Sequence, residues 1–441
     1  MQRLIGNSQL MMQGSNYFVF IRHYRSDETL DRISNGVTRS QNKDRIGTPV
    51  TRIETIRNES VDPDRVGYLV DIADDELKKY RLELDDILFS HINSEEHIGK
   101  TAIYIGTPEV LIHGMNLLLL RPNKKICDSY YINYIFKFYR LNGVFAGLAA
   151  RAVGQASIDQ GKMKSIDILL PPLPEQRAIS RVLRAVQQAR EARLREIALE
   201  RERKAALMEH LFRHGTRGEA TKQTDIGEMP VSWEIVMLGD LLRERLRNGH
   251  SANASSLKDG VRTLTLAAVT KNDFSIKNTK ITVADPLKVE DLWLEPGDIF
   301  IERANTPEFV GLASLYQGPK DFAIFPDLMV RVRLKEDNAD PKFLVEFLIT
   351  RQCRSYFRRN AASTTGNMPK IDHGVIERTP IPLPKDFLEQ QIIAKICRAG
   401  DAKIAALEHE ASLHDELFRA MLEELMTGRL RAGALAEKLH D

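Results

Sequence analysis

Two stretches of this chain carry residue types suited to reading or holding a polyanion. Residues 86–99 read "DILFSHINSEEHIG" and residues 298–311 read "DIFIERANTPEFVG". In each, a short apolar run with the pattern of a strand delivers the chain into a polar turn. His91, Asn93 and Ser94 stand in the first turn where Arg303, Asn305 and Thr306 stand in the second. Arginine donates a pair of hydrogen bonds to guanine, asparagine matches adenine, and small hydroxyls serve bases or phosphates. A second set of such residues lies in the loops "RAVGQASIDQGKMK" (151–164) and "RRNAASTTGNMPKIDHG" (358–374). These offer Gln155, Ser157, Gln160 and Lys162 in one loop, and Thr364, Thr365, Asn367 and Lys370 in the other. Gly154 and Gly366 permit close backbone approach. Lys43, Arg45, Arg52, Lys100, Arg354, Arg358 and Arg359 are candidate phosphate contacts. Each has a structural alternative: asparagines cap turns, the loops are polar surface, and the arginines line a solvated helix face. The asparagine is kept in both stretches while its neighbours change, so Arg303 and His91 are the stronger candidate readers.

Other chemistry is weaker. Asp64, Glu76 and Lys78 have the outline of a nuclease metal site, which needs the Glu and Lys on a strand beside the Asp. "DIADDELKKY" reads instead as an acidic, exposed, helix-like segment. His91 and His97 are matched by Arg303 and Phe309 in the second stretch, which argues against a metal pair. No Gly-rich phosphate loop and no Asn-Pro-Pro-Tyr-like methylation motif occurs. Cys127, Cys353 and Cys397 are far apart and odd in number, which excludes a disulfide framework built from sequence neighbours and fits a reducing compartment. The net charge is only +2, so any nucleic-acid site is local or completed by partners. No apolar run reaches the length of a membrane span, and no signal-peptide pattern opens the chain. The expected location is the cytoplasm.

The elements that position these residues are written twice. The 441 residues exceed one ordinary core. "GTPVTRI" at Gly47 returns as "GVRTLTL" at Gly260, and "IDQGKMKSIDILLP" (158–171) as "IDHGVIERTPIPLP" (371–384), both 213 positions on. Each copy then has a Glu-Gln pair, Glu175-Gln176 and Glu389-Gln390. An offset held over several landmarks marks an internal repeat. Within each copy, strands are expected at "TAIYIG", "LLLLRP", "FAIF" and "LMVRVRL", and short helices at "YINYIFKFY" and "PKFLVEFLITRQCRSYF", giving compact α/β units. A long helix is expected from Glu175 to about His214, stopped by the prolines at 171, 172 and 174 and by Gly215 and Gly218. A second is expected from about Glu389 to Thr427. The second carries a stripe at Ile393, Ile396, Ile404, Leu407, Ala411, Phe418, Met421 and Leu425. The first carries one at Ile179, Leu183, Val186, Ile197, Met208 and Leu211. Residues 175–214 hold ten Lys/Arg and six Asp/Glu, and residues 389–428 hold four and eight. Helices of opposite sign pair. The expectation is one antiparallel coiled coil; two separate amphipathic helices, each lying on its own domain, are the alternative.

Two α/β units alternating with two long helices, with "PLPEQRAI" (172–179), "PLPKDFLEQQII" (382–393), "SWEIVMLGDLL" (232–242) and "GDIFIERANTPEFVG" (297–311), resemble the specificity subunit of a Type I restriction-modification enzyme. The resemblance covers nearly the whole chain. It implies an α/β (α+β) fold of two target recognition domains, residues 1–174 and 216–388, joined by helices at 175–215 and 389–441 with pseudo-twofold symmetry. It implies a non-catalytic subunit that reads a bipartite double-stranded DNA site. Two methyltransferase subunits dock on the helices, and restriction/translocase subunits complete the complex. This chain would bind no cofactor; the partners would use S-adenosylmethionine, ATP and Mg. The first copy departs from the pattern: "TLDRISNG" (29–36) stands where the second has Trp-Glu…Leu-Gly-Asp, and residues 1–28 find no counterpart. A coiled-coil scaffold with protein-binding α/β units, or a self-sufficient restriction nuclease, are the competing classes.

Overall fold

The computed structural model describes residues 10–11, 20–152, 154–255, 260–335, 338–362 and 368–432. It divides into two units, Met1–Arg193 with Glu410–Asp441, and Leu194–His409. In the first unit an antiparallel sheet runs in the order Thr101–Ile103, Ile87–Ser90, Leu117–Pro122, Leu30–Asn35. In the second unit the order is Ala313–Leu315, Ile299–Glu302, Met329–Val332, Arg247–Asn248. The first three strands of each sheet begin 212 residues apart, as the repeat requires. Leu117 to Leu120 are all fully buried, which explains a strand written as an unbroken apolar run. "FAIF" is an exception among the expected strands. There Ile324 makes a single parallel bridge to Thr263, and Pro326 follows at once with no N–H to extend a ladder.

The repeated stretches begin with an aspartate for a structural reason. Asp86 and Asp298 are each 1% exposed. Arg121 grips Asp86 with two hydrogen bonds (2.7 and 2.8 Å), and Arg333 grips Asp298 with two (2.5 and 3.1 Å). Bidentate charge-assisted pairs of this kind fix a strand start firmly. The stretches end on Gly99 and Gly311, with φ of +77° and +74°. A Cβ there would lie 2.4 Å from the Phe145 ring or 2.7 Å from Phe357, so both the backbone and the packing demand glycine.

The long helices run Leu173–His214 and Phe387–Met426. Both begin two residues before the expected Glu. Pro174 therefore lies inside the first turn, where a missing N–H costs nothing because that position has no acceptor. The Glu-Gln pairs form the junctions. The Gln176 side chain accepts from Asp128 N (2.9 Å) and donates to Ile126 O and Pro171 O. The Gln390 side chain accepts from Asp340 N (2.8 Å) and donates to Pro384 O. Asp128 and Asp340 are themselves N-caps, of helices Ser129–Leu141 and Pro341–Leu348. The neighbouring glutamates hold the chain just beyond the end of the other long helix. Glu175 accepts from Ala432 N (3.1 Å), and Glu389 accepts from Thr216 N (2.9 Å).

The helices pack together and run antiparallel in each unit. In the first, Arg190 pairs Asp415 (2.6 Å) and Arg193 pairs Glu410 (2.7 Å). In the second, Arg201 pairs Glu408, Lys204 pairs Asp401, and Lys403 pairs Glu200, all at 2.5–2.6 Å. Four of these five place the cation on the first helix, the asymmetry that the charge count implies. Both stripes are buried or half-buried throughout. They also serve the domains: Ile179, Val182, Leu183, Leu422 and Leu425 enter the first unit's core, and Met208, Leu211, Phe212, Ile393 and Cys397 the second's. The helices are therefore paired, as the coiled-coil expectation has it and not as two separate helices, and the same pair also packs on the domain cores.

The counterpart of "SWEIVMLGDLL" is also found. Glu234–Met237 pairs with Pro380–Leu383, and Phe20–Arg25 pairs with Asp167–Leu170 in the same way. Short helical turns follow both, Leu238–Leu241 and Ser26–Thr29. Residues 20–29, and not 29–36, thus stand in that place. Backbone pairing preserves the strand while its side chains diverge.

Gln390 is 2% exposed, while its neighbour Gln391 faces solvent. Gln390→Met keeps the length but strands the Asp340 N–H and the Pro384 carbonyl. Urea unfolding is expected to show a loss of about 2 kcal/mol, against about 0.5 kcal/mol or less for Gln391→Met.

Candidate nucleic-acid interface

The two sets of polar residues found far apart in sequence are hydrogen-bonded to one another in each unit. In the first, Ile92–Asn93 pairs with Gln155–Ser157, which pairs with Ala150–Ala152, forming a small antiparallel sheet. Ile158 N donates to His91 O (2.9 Å). In the second, Ala304 bridges Lys370, Lys370 bridges Ala362, and Ile371 N donates to Arg303 O (2.9 Å). One polar surface results in each unit, built from the turn after a central strand and from the loop before the helix junction. Thr364, Thr365 and Asn367 lie outside the described residues.

Within this surface the residues divide by role. Asn93 Nδ2 donates to Ser90 Oγ (3.0 Å), and Asn93 Oδ1 accepts from Ser94 N (2.9 Å). Asn305 makes the same turn, donating to the Glu302 carboxylate and accepting from Thr306 N at 2.7 Å. The shared asparagines therefore shape the turn. His91 is 6% exposed, and burial pushes its imidazole down to about 4, so it is neutral at physiological pH. Ser94 and Thr306 are exposed, and Arg303 is half-buried. Among the described residues the Arg303 guanidinium has no hydrogen-bond or ion-pair partner. Gln155 and Lys370 are exposed, and Ser157, Gln160 and Lys100 are half-buried. Lys162 donates its ammonium to Leu148 O (2.8 Å). Arg52 pairs with Glu54 (2.6 Å). Lys43 and Arg45 are exposed, and Arg45 faces Asp64 at 3.5 Å. Arg354 is 6% exposed and clamps Val310 O and Glu308 O, both at 2.6 Å, so it braces the repeated stretch instead of facing a phosphate. Arg358 and Arg359 are exposed on the same helix.

Beside the first turn lies a recess of about 370 Å³ that unites Asn93, His97 and Lys100 with Arg57, Asn58 and Arg65. His97 Nδ1 is buried with no partner among the described residues. Arg57, Asn58 and Arg65 carry no signal in the sequence that links them to this turn, because they lie some 30 residues earlier, the first two in the hairpin Ile56–Val61 and Arg65 just after it.

The nuclease-like trio is not assembled. Glu76 and Lys78 lie on helix Asp74–Tyr80, and Glu76 pairs with Arg39 (2.9 Å). Among the described residues no group of three or more His, Cys, Asp or Glu could hold a metal ion, and no helix is long and apolar enough to cross a membrane.

Residues 33–200 and 230–413 each match the family model of the Type I restriction modification DNA specificity domain. The chain is 36% identical over 408 residues to the putative type I restriction enzyme MjaX specificity subunit of Methanocaldococcus jannaschii, covering 92% of each. It is 26% identical over 425 residues to the StySPI specificity subunit of Salmonella potsdam, covering 89% of this chain and 88% of the other. Its fold is similar to that of the Type-I restriction-modification system S subunit from M. genitalium, with a TM-score of 0.57 at 14% identity, over 94% of this chain and 98% of that one.

The last strand residue before each turn is Ser90 in the first unit and Glu302 in the second. Glu302 is fully buried, with one oxygen unpartnered among the described residues. Burial pushes its carboxyl up to about 7, against the pull of Asn305 and Arg354. A raised carboxyl stabilises the fold while protonated, so its contribution is complete below about pH 4.5 and is lost as pH rises through about 7. Glu302→Gln is expected to stabilise the protein at pH 8, on the order of 2–3 kcal/mol, and to change little at pH 4.5. Urea unfolding at both pH values checks this; equal effects at the two would contradict it.

Proposed function

The chain belongs to the Type I restriction-modification DNA specificity family, and from that premise we propose how it reads DNA. It is the recognition component of its complex and not the catalytic one. Residues 1–174 and 216–388 act as two target recognition domains, each reading one half of a split double-stranded site. Residues 175–215 and 389–441 separate the domains and dock two methyltransferase subunits, to which restriction/translocase subunits add. S-adenosylmethionine, ATP and Mg serve those partners.

The observation that carries this reading is a common frame with exchanged side chains. Asp86 and Asp298, Asn93 and Asn305, and Gly99 and Gly311 hold one backbone geometry in both units. On that frame the exposed Ser94 is exchanged for the exposed Thr306, and the buried His91 for the half-buried Arg303. Two readers of different half-sites need a fixed scaffold and variable polar groups. Arg303, Thr306 and Lys370 are assigned to the second half-site, with Thr364, Thr365 and Asn367. Ser94, Lys100, Gln155, Ser157 and Gln160 are assigned to the first. Asn93, Asn305 and His91 support these surfaces from behind. Lys43 and Arg52 are assigned to flanking phosphates.

The helices act as a ruler in this reading. Four residues inserted in each, near Leu194 and near Ala406, add about one turn or 6 Å. At about 3.4 Å per base pair, the gap between half-sites is expected to lengthen by one or two base pairs with both half-sites unchanged. Methylome sequencing reads this directly, and an unchanged gap contradicts it. Exchange of residues 232–388 for those of a relative is expected to alter one half-site only.

A further inference from the structure

The hairpin Ile56–Val61 is placed between the recess and the long helices of the first unit. Ile56 pairs with Val61 and Arg57 with Ser60. The two turn residues, Asn58 and Glu59, have φ of +49° and +63°, the geometry of a two-residue turn that matches strand twist. Arg57 and Asn58 line the recess with Asn93, His97 and Lys100. Asn58 also lines a smaller cavity of about 210 Å³ on the other side of the turn, with Glu59, Lys137, Gln187 and Phe418. One turn residue thus faces both spaces.

Glu59 is fixed from that second side. It pairs with Lys137, whose side chain is 2% exposed, and lies 3.7 Å from Arg140. The Lys137 ammonium sits 5.4 Å from the Tyr134 ring centre and 4.9 Å from that of Phe418, which belongs to the second long helix. Burial pulls the Lys137 ammonium down and Glu59 pushes it back up. Glu59 is the one carboxylate that the described residues bring to Lys137, so moving the turn would leave a buried cation unpaired. The Arg57 guanidinium is not committed in this way. It is exposed, and its nearest carboxylate, Asp62, is 3.6 Å distant.

We infer that the hairpin Ile56–Val61 is a base- and phosphate-reading element for the first half-site, with Arg57 and Asn58 as direct DNA contacts and Glu59 as the positioning residue that latches them to the helices. The inference rests on the DNA-reading assignment of the neighbouring turn and adds residues and a latch to it. Arg57 supplies two parallel donors for a guanine edge or a phosphate, and Asn58 a donor and an acceptor for adenine. Among the described residues the second unit has no hairpin at this position. The residues 212 positions on, 268–273, begin in the short helix Ala267–Thr270. The effect is therefore confined to one half-site.

The test uses the complex of this chain with its methyltransferase partners, acting on duplex libraries in which either half-site is randomised. Arg57→Ala and Asn58→Gly, which break no buried pair and keep the positive φ of the turn, are expected to lose tenfold or more of the discrimination at one or two positions of one half-site. Preference at the other half-site stays as in the wild type. Glu59→Gln is expected to damage the same half-site, and Glu59→Asp to restore most of the loss. Unchanged preferences in Arg57→Ala and Asn58→Gly would overturn the contacts. Equal loss at both half-sites in Glu59→Gln would reduce Glu59 to a folding residue and overturn the latch. A wild-type complex with no split preference would instead overturn the underlying reading of two DNA-reading domains.

Discussion

A two-residue junction holds this architecture together. In Glu175-Gln176 and again in Glu389-Gln390, the glutamine binds the helix to the domain before it, through the N–H of an N-cap aspartate. The glutamate binds the segment that leaves the end of the other long helix. Both side chains of the second pair are nearly inaccessible, at 3% and 2%. Buried amides and carboxylates are costly unless satisfied; here the glutamines are satisfied by backbone groups, and Glu389 by Thr216 N together with the Thr216 hydroxyl and the Trp233 indole N–H. The junction thus specifies where a helix starts, which domain it leaves and which chain end it meets. The same pair stands twice, 214 positions apart, each time at the same junction.

The helices follow from that constraint. A helix of about 40 residues with one apolar stripe cannot bury it alone. Each divides its stripe between a domain core and its partner. The middle of the first helix is too charged for an apolar seam, and there the acids of the second supply the match: Arg193 to Glu410, Arg201 to Glu408 and Lys204 to Asp401. Exposed pairs of this kind add little stability singly. Their value lies in direction and register, since a parallel arrangement would not align these charges. Lys204 also reaches the buried Glu346 (3.3 Å), tying the pair to the helix Pro341–Leu348.

Much of this was legible in the sequence. The constant offset, the two helices, their opposite charge and the strand before each polar turn need only local pattern and counting. What was hidden depends on tertiary placement. The strand Phe20–Arg25 shares no side-chain signature with Glu234–Met237, because the ladder to its partner is made by the backbone. His91 and Arg354 carry polar atoms that suggest DNA, yet the fold buries both, one as a neutral ring and one as a brace for two carbonyls. Asn93 and Asn305 are equally suited by type to reading and to turning; that they accept from Ser94 N and Thr306 N is visible only in the folded turn. Arg57 and Asn58 gain interest solely from the recess that unites them with Lys100.

The antiparallel register of the helix pair is the claim on which the proposed ruler rests, and disulfide trapping tests it directly. The native cysteines, Cys127, Cys353 and Cys397, are all buried and leave the surface free for introduced ones. Cysteines replacing Arg201 and Glu408, or Arg193 and Glu410, are expected to cross-link rapidly under mild oxidant. Cysteines at Arg201 and Asp415, which would be neighbours if the helices ran parallel, are expected not to. Trapping of the 201–415 pair in place of the 201–408 pair would contradict the account.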